Sequence, residues 1–82
     1  MNIHKYRIEP GAYTRIAAEK IIHFGLDPKG VISAWGEADP DAIAAKWEVC
    51  VVGTGWSVPE GMEHFGSCTD GLFVWHLYGR KL

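Results

Sequence analysis

The 82-residue sequence predicts an all-β domain: a small antiparallel sandwich or partly open barrel of six or seven short strands, with at most one helical turn. Three observations carry this. Apolar and polar residues alternate over short stretches, as in Ile3 to Ile8. Turn signals such as Pro10-Gly11, Asp27-Pro28-Lys29-Gly30 and Asp70-Gly71 punctuate those stretches. One run, Trp47 to Gly55, is apolar on both of its faces, as a strand covered on both sides must be.

In order along the chain, Ile3–Ile8 reads as a half-buried strand with His4, Tyr6 and Ile8 on one face and Lys5 and Arg7 on the other. Pro10-Gly11 ends it. Tyr13–Ile16 reads as a short strand, Ala17–Ala18 as an irregular corner, and Lys20–Leu26 as a strand with Ile22, Phe24 and Leu26 on one face. The rival reading is a helix from Tyr13 to Phe24, which Ile16, Ala17, Glu19, Lys20 and Ile21 would favour by propensity but which lacks start signals. Asp27 to Gly30 makes a four-residue hairpin loop into a strand at Val31–Glu37, since proline sets the corner and glycine accepts positive φ. Asp39 or Asp41 could cap one helical turn over Ala42–Ala45. After the Trp47–Gly55 strand, Gly53 to Gly61 forms an extended loop. His64–Cys68 and Leu72–Tyr78 then close the chain as a hairpin around Asp70-Gly71, a type I′ signal. The expected core is Ile22, Phe24, Trp35, Val49, Val51, Val74 and Trp47.

Length and composition bound the function. Residues 1–82 suffice for one domain, and such a short chain buries only about 60% of its unfolded surface. Apolar residues at 48%, four of them tryptophans, provide a core without metal or disulfide staples. Eight basic against ten acidic residues, a net charge of −2, leave no basic footprint for nucleic acid. The short pairs Lys5/Arg7 and Arg80/Lys81 read as solvated chain ends. No apolar run approaches the roughly 20 residues of a membrane helix, and the first residues contain no leader-like apolar stretch. A cytoplasmic location follows as the expectation, with Cys50 and Cys68 as reduced thiols.

Several short segments, in order along nearly the whole chain, carry a resemblance. They are Ile3-His4-Lys5-Tyr6, Ala18-Glu19-Lys20-Ile21-Ile22, Ile32-Ser33-Ala34-Trp35 leading to Asp39-Pro40, Val51-Val52-Gly53-Thr54-Gly55, Pro59, Phe65-Gly66 and Leu72-Phe73-Val74-Trp75-His76-Leu77-Tyr78. In these the chain resembles a family of short, uncharacterised proteins encoded by tailed phages, classed as a domain of unknown function. Such proteins commonly carry histidine after the Gly-Thr-Gly triplet, where this chain has Trp56. The resemblance implies a β-rich fold, a phage origin and life in the cytoplasm of a bacterial host. By analogy it points to a non-enzymatic accessory protein that binds a host protein or sequesters a small signalling nucleotide in host takeover or anti-defence. A minor structural component of the virion and a small regulatory module are the alternatives.

The residues themselves announce no chemistry. His4, His23, His64 and His76 with Cys50 and Cys68 supply enough ligand atoms for zinc, yet no pair has ligand spacing, so no metal site is expected. His4 and His76, on terminal strands, could meet, and the two thiols could lie close if the Trp47–Gly55 strand paired with His64–Cys68. Ser33, Ser57 and Ser67 lack a nucleophile elbow. Gly53-Thr54-Gly55 lacks the lysine of a phosphate loop and reads as a bend. Glu37, Asp39 and Asp41 read as turn and cap residues rather than a calcium loop. Accordingly no activity and no cofactor are expected.

One segment stands out for binding: Gly53, Thr54, Gly55, Trp56, Ser57 and Pro59. The glycines bring bare backbone to the surface, Trp56 lies beyond the end of a strand, and Pro59 stiffens the loop. The bland account is that Trp56 folds back as a lid on the core. Lys5, Arg7 and Glu9 guard the first strand while Phe73, Trp75 and Leu77 in the last have no charged neighbour until Arg80, so a homodimer is expected, with a monomer that holds this strand in mid-sheet as the alternative.

Overall fold

A computed structural model describes all residues 1–82. It contains seven strands and no helix: β1 (Asn2–Arg7), β2 (Tyr13–Ile16), β3 (Lys20–Leu26), β4 (Ile32–Ala38), β5 (Trp47–Gly53), β6 (Glu63–Asp70) and β7 (Phe73–Lys81). They form two antiparallel sheets packed as a sandwich, one of three strands in the order β1-β4-β3 and one of four in the order β2-β5-β7-β6. The all-β expectation therefore holds in its sandwich form. Tyr13–Phe24 is two strands and a corner, and no helical turn forms over Ala42–Ala45. There the Asp39 carboxylate accepts from the Asp41 amide at 2.9 Å and its carbonyl from the Ala42 amide at 3.0 Å, which makes a turn in place of a cap.

The core lies between the sheets. Ile8, Phe24 and Ala34 from the three-stranded side meet Ile16, Val49, Val51 and Leu77 from the other, with Ala18 at the corner between them. Three expected core residues lie elsewhere. Ile22 is 40% exposed because β3 bulges there: Ile21 pairs with Gly36 and His23 with Trp35, so Ile22 is the extra residue and the alternation breaks. Val74 is 37% exposed, on the opposite face of β7 from Leu77. Trp35 is half-buried on the outer face of its sheet, where its ring lies 5.1 Å from His23. The inner face of β4 is built from Ala34 and Gly36 instead. A Cβ at Gly36 would meet Ala18 Cβ at 2.5 Å, so the chain needs glycine to let the corner approach.

The β3–β4 loop closes on Asp27. Its carboxylate accepts from the amides of Lys29 (2.9 Å) and Val31 (2.8 Å) and from Lys5 Nζ (2.7 Å). The side-chain bond from Lys5, then that from the Val31 amide, hold its pKa down at about 2. This use of Val31 moves the start of β4 to Ile32.

β7 lies mid-sheet between β5 and β6, so its apolar run needs no partner for its edges. Asp70 and Phe73 pair across the two-residue turn Gly71-Leu72. Gly71 alone takes positive φ (59°), which is the type II′ pattern rather than the expected type I′.

Candidate functional site

β5 ends at Gly53, and the chain then turns back on itself: the Trp56 amide donates to the Gly53 carbonyl at 3.1 Å, with Gly55 at a φ of 93°. The turn lays the Trp56 indole over Gly53. A Cβ on Gly53 would stand 3.2 Å from Trp56 and 3.3 Å from Trp75, so glycine here admits two indoles against bare backbone. Trp56 meets Trp75 edge to face, with centroids 5.8 Å apart and planes at 83°, and Phe73 stacks beside Trp75 at 5.9 Å. Gly53, Thr54 and Trp56 from the loop, with Leu72 to Trp75 from the β6–β7 turn and β7, line a cleft of about 330 Å³. Its rim is apolar and open: Leu72 is 100% exposed, Phe73 65% and Trp56 50%. The Trp75 Nε1 has no hydrogen-bond partner.

The outer face of the four-stranded sheet holds a second feature. Thr54 Oγ1 lies 2.8 Å from His76 Nε2, His76 Nδ1 lies 2.7 Å from Ser67 Oγ, and Ser67 Oγ lies 3.0 Å from His64 Nε2. Ser67 and His76 are directly paired across β6 and β7. His64 joins them only because β6 is bulged at Phe65: His64 pairs with Tyr78 and Gly66 with Leu77. Residues three apart would otherwise point to opposite faces. A shallower hollow of about 210 Å³ adjoins this chain, lined by Thr54, Trp56, Val52, Val58, His76 and Tyr78, with the backbone of Gly53 and Gly55. Further along the same face Glu48 is held between Arg80 (2.9 Å) and Arg15 (3.5 Å), and its carboxyl pKa is lowered chiefly by the bond from Arg80.

The model of a domain of unknown function, DUF7352, matches residues 1–82. The chain belongs to this family. No curated protein and no solved structure matches it.

Of the loop residues singled out in this DUF7352 chain, Gly53, Thr54 and Trp56 come together at the cleft. Gly55 faces only the shallower hollow, and Ser57 and Pro59 line neither. Pro59 is buried, which makes it an anchor of the loop rather than part of its surface. Trp56 combines both sequence-based accounts, since one edge of its ring rests on Trp75 and the rest is open. The two thiols are apart: Cys50 lies on the outer face of β5, opposite Tyr78, whereas Cys68 pairs with Trp75 on the inner face. Burial pushes both thiol pKa values up, with Glu48 adding to the effect at Cys50 and Asp70 at Cys68, so neither is an activated nucleophile. His4 and His76 belong to different sheets and do not meet. Sequence reasoning missed the Thr54–His76–Ser67–His64 chain. No signal within β6 marks it, because the bulge that brings His64 to Ser67 is a mismatch of register with β7.

Proposed function

We propose that this domain is a binding module whose Trp56–Phe73–Trp75 cleft receives an apolar segment of a partner protein, and that it acts as a phage accessory protein on a protein of the host. The observation that carries the binding reading is the half-exposed Trp56 held edge-on against Trp75 beside an open Phe73. Aromatic anchors of low side-chain entropy, already positioned by packing, are what protein interfaces concentrate their energy on. A small nucleotide fits less well. None of the seven lining residues is a lysine or arginine, and phosphate groups would need one. The phage and host parts rest on the resemblance of the Val51–Gly55 and Leu72–Tyr78 segments to phage-encoded proteins.

The test is affinity capture from infected host lysate with the intact chain, with Trp56→Ala and Phe73→Ser as controls, read by mass spectrometry of proteins and small molecules. A host protein held by the intact chain and released by both variants supports the proposal. A protein held equally by all three, or a nucleotide alone, contradicts it.

A further inference from the structure

We infer that Ser67 is a nucleophilic serine, with His76 as its general base and His64 as a donor beside the reacting atoms, acting on small carboxylic esters. This goes beyond the binding role, and the two sites share Thr54, which lines the cleft and orients His76. The geometry supplies a nucleophile, a base and an orienting group in hydrogen-bond contact. The nucleophile touches its base at 2.7 Å, and the base touches an orienting group, Thr54, at 2.8 Å. Thr54 directs its hydroxyl proton toward the Val74 carbonyl at 3.4 Å, so its oxygen accepts from His76 Nε2–H. That assignment leaves Nδ1 as the bare nitrogen facing Ser67, which is the tautomer a base needs. His64 Nε2 lies 3.0 Å from Ser67 Oγ on its other side, a donor beside the reacting atoms. Ser67 and His64 are exposed, so substrate has access. The bulge at Phe65 brings His64 beside Ser67 and edge-on to Tyr78, 5.4 Å between ring centroids, and bulges recur where a strand re-aims a side chain.

In the first step Ser67 Oγ bonds to the acyl carbon and passes its proton to His76 Nδ1, while the carbonyl electron pair moves onto oxygen. The intermediate collapses, the bond to the leaving alkoxide breaks, and that oxygen takes the proton from His76. Water then attacks the acyl-serine with His76 again as base. That intermediate collapses with His76 returning the proton to Ser67 Oγ, and the carboxylic acid leaves and gives its own proton to solvent. Thr54 is a positioning residue, since it acts only by holding the His76 tautomer.

The experiment is labelling with a serine-directed fluorophosphonate, together with hydrolysis of 4-nitrophenyl acetate. Peptide mapping of the unaltered protein decides the first point: an adduct on Ser67 supports the inference, and an adduct elsewhere or none overturns it. Ser67→Ala should abolish both labelling and turnover. His76→Gln should slow both at least about a hundredfold, the scale of a general base. Thr54→Val should slow them less, and Thr54→Ser should restore them, which a purely structural loss would not do. Ester hydrolysis that survives Ser67→Ala at an unchanged rate would overturn the inference.

Discussion

Two aromatic pairs in this domain have nearly the same geometry and opposite circumstances. Trp47 meets Phe65 at 5.2 Å and 87°, and Trp56 meets Trp75 at 5.8 Å and 83°. In the first pair the indole Nε1 donates to the Glu19 carbonyl at 3.3 Å, Lys81 sits over the ring at 5.8 Å, and both rings lie against the core. In the second, Trp56 is half open and the Trp75 Nε1 has no partner. An edge-to-face contact therefore does not by itself distinguish a structural pair from an available one. What distinguishes them is whether the polar atom is satisfied and whether the outer ring still faces water.

The largest expected effect breaks the closed pair. Trp47→Ala should destabilise the fold by about 3 kcal/mol, as other large aromatic truncations do, and urea denaturation would measure it. A cost near that of an exposed residue would show that Trp47 is not part of the core closure.

Acid extends the contrast from ring pairs to loops, because the Asp27 loop is closed as the Trp47 pair is closed. Asp27 has its carboxyl pKa lowered from 3.8 to about 2 by Lys5 and the Val31 and Lys29 amides. A depressed folded pKa means that the unfolded chain binds the proton first. The stabilisation is therefore fully present above about pH 4 and is lost as pH falls toward 2. Urea midpoints measured across that window should decline for the native chain. Asp27→Asn should lower the midpoint at pH 7 and flatten the decline. A decline unchanged by that substitution would place its origin in other carboxylates.

Opening the second pair should cost less. Trp56→Ala is expected to lower stability by about 1 kcal/mol, the scale of an aromatic pair beyond its burial, while partner capture is lost. A loss near that of Trp47→Ala would make Trp56 a lid. The smallest effect sharpens the role of polar satisfaction. The buried Tyr6 hydroxyl has no partner, and burial raises its pKa. Tyr6→Phe should keep the shape and raise stability by roughly 0.5–1 kcal/mol, because an unpaired buried hydroxyl is costly. A loss on calorimetry would mean that the hydroxyl is bonded in solution.

The local pattern of the chain determined that it would be β, and where most strands lie. Tyr13–Ile16 and Lys20–Leu26 fall where alternation places them, and the Asp27, Gly30 and Gly71 turns fall where side chains and positive φ require them. The burial of β5 on both faces was likewise legible, since Val49, Cys50, Val51 and Val52 leave no polar face to expose. The prominence of Trp56 followed from its place between a glycine and a serine beyond a strand end.

Tertiary structure alone decided which face several residues occupy. Side-chain direction has a period of two only while a strand keeps its register, and register belongs to the pairing partner rather than to the strand itself. The bulge at Ile22 arises against β4 and moves that residue into solvent. The bulge at Phe65 arises against β7, turns Phe65 onto Trp47, and sets His64 beside Ser67. The Thr54–His76–Ser67–His64 chain joins residues 3, 9 and 22 positions apart, and no local spacing brings them together. Neither bulge can be read from one strand, because each is the mismatch between two strands that meet only when the chain has folded.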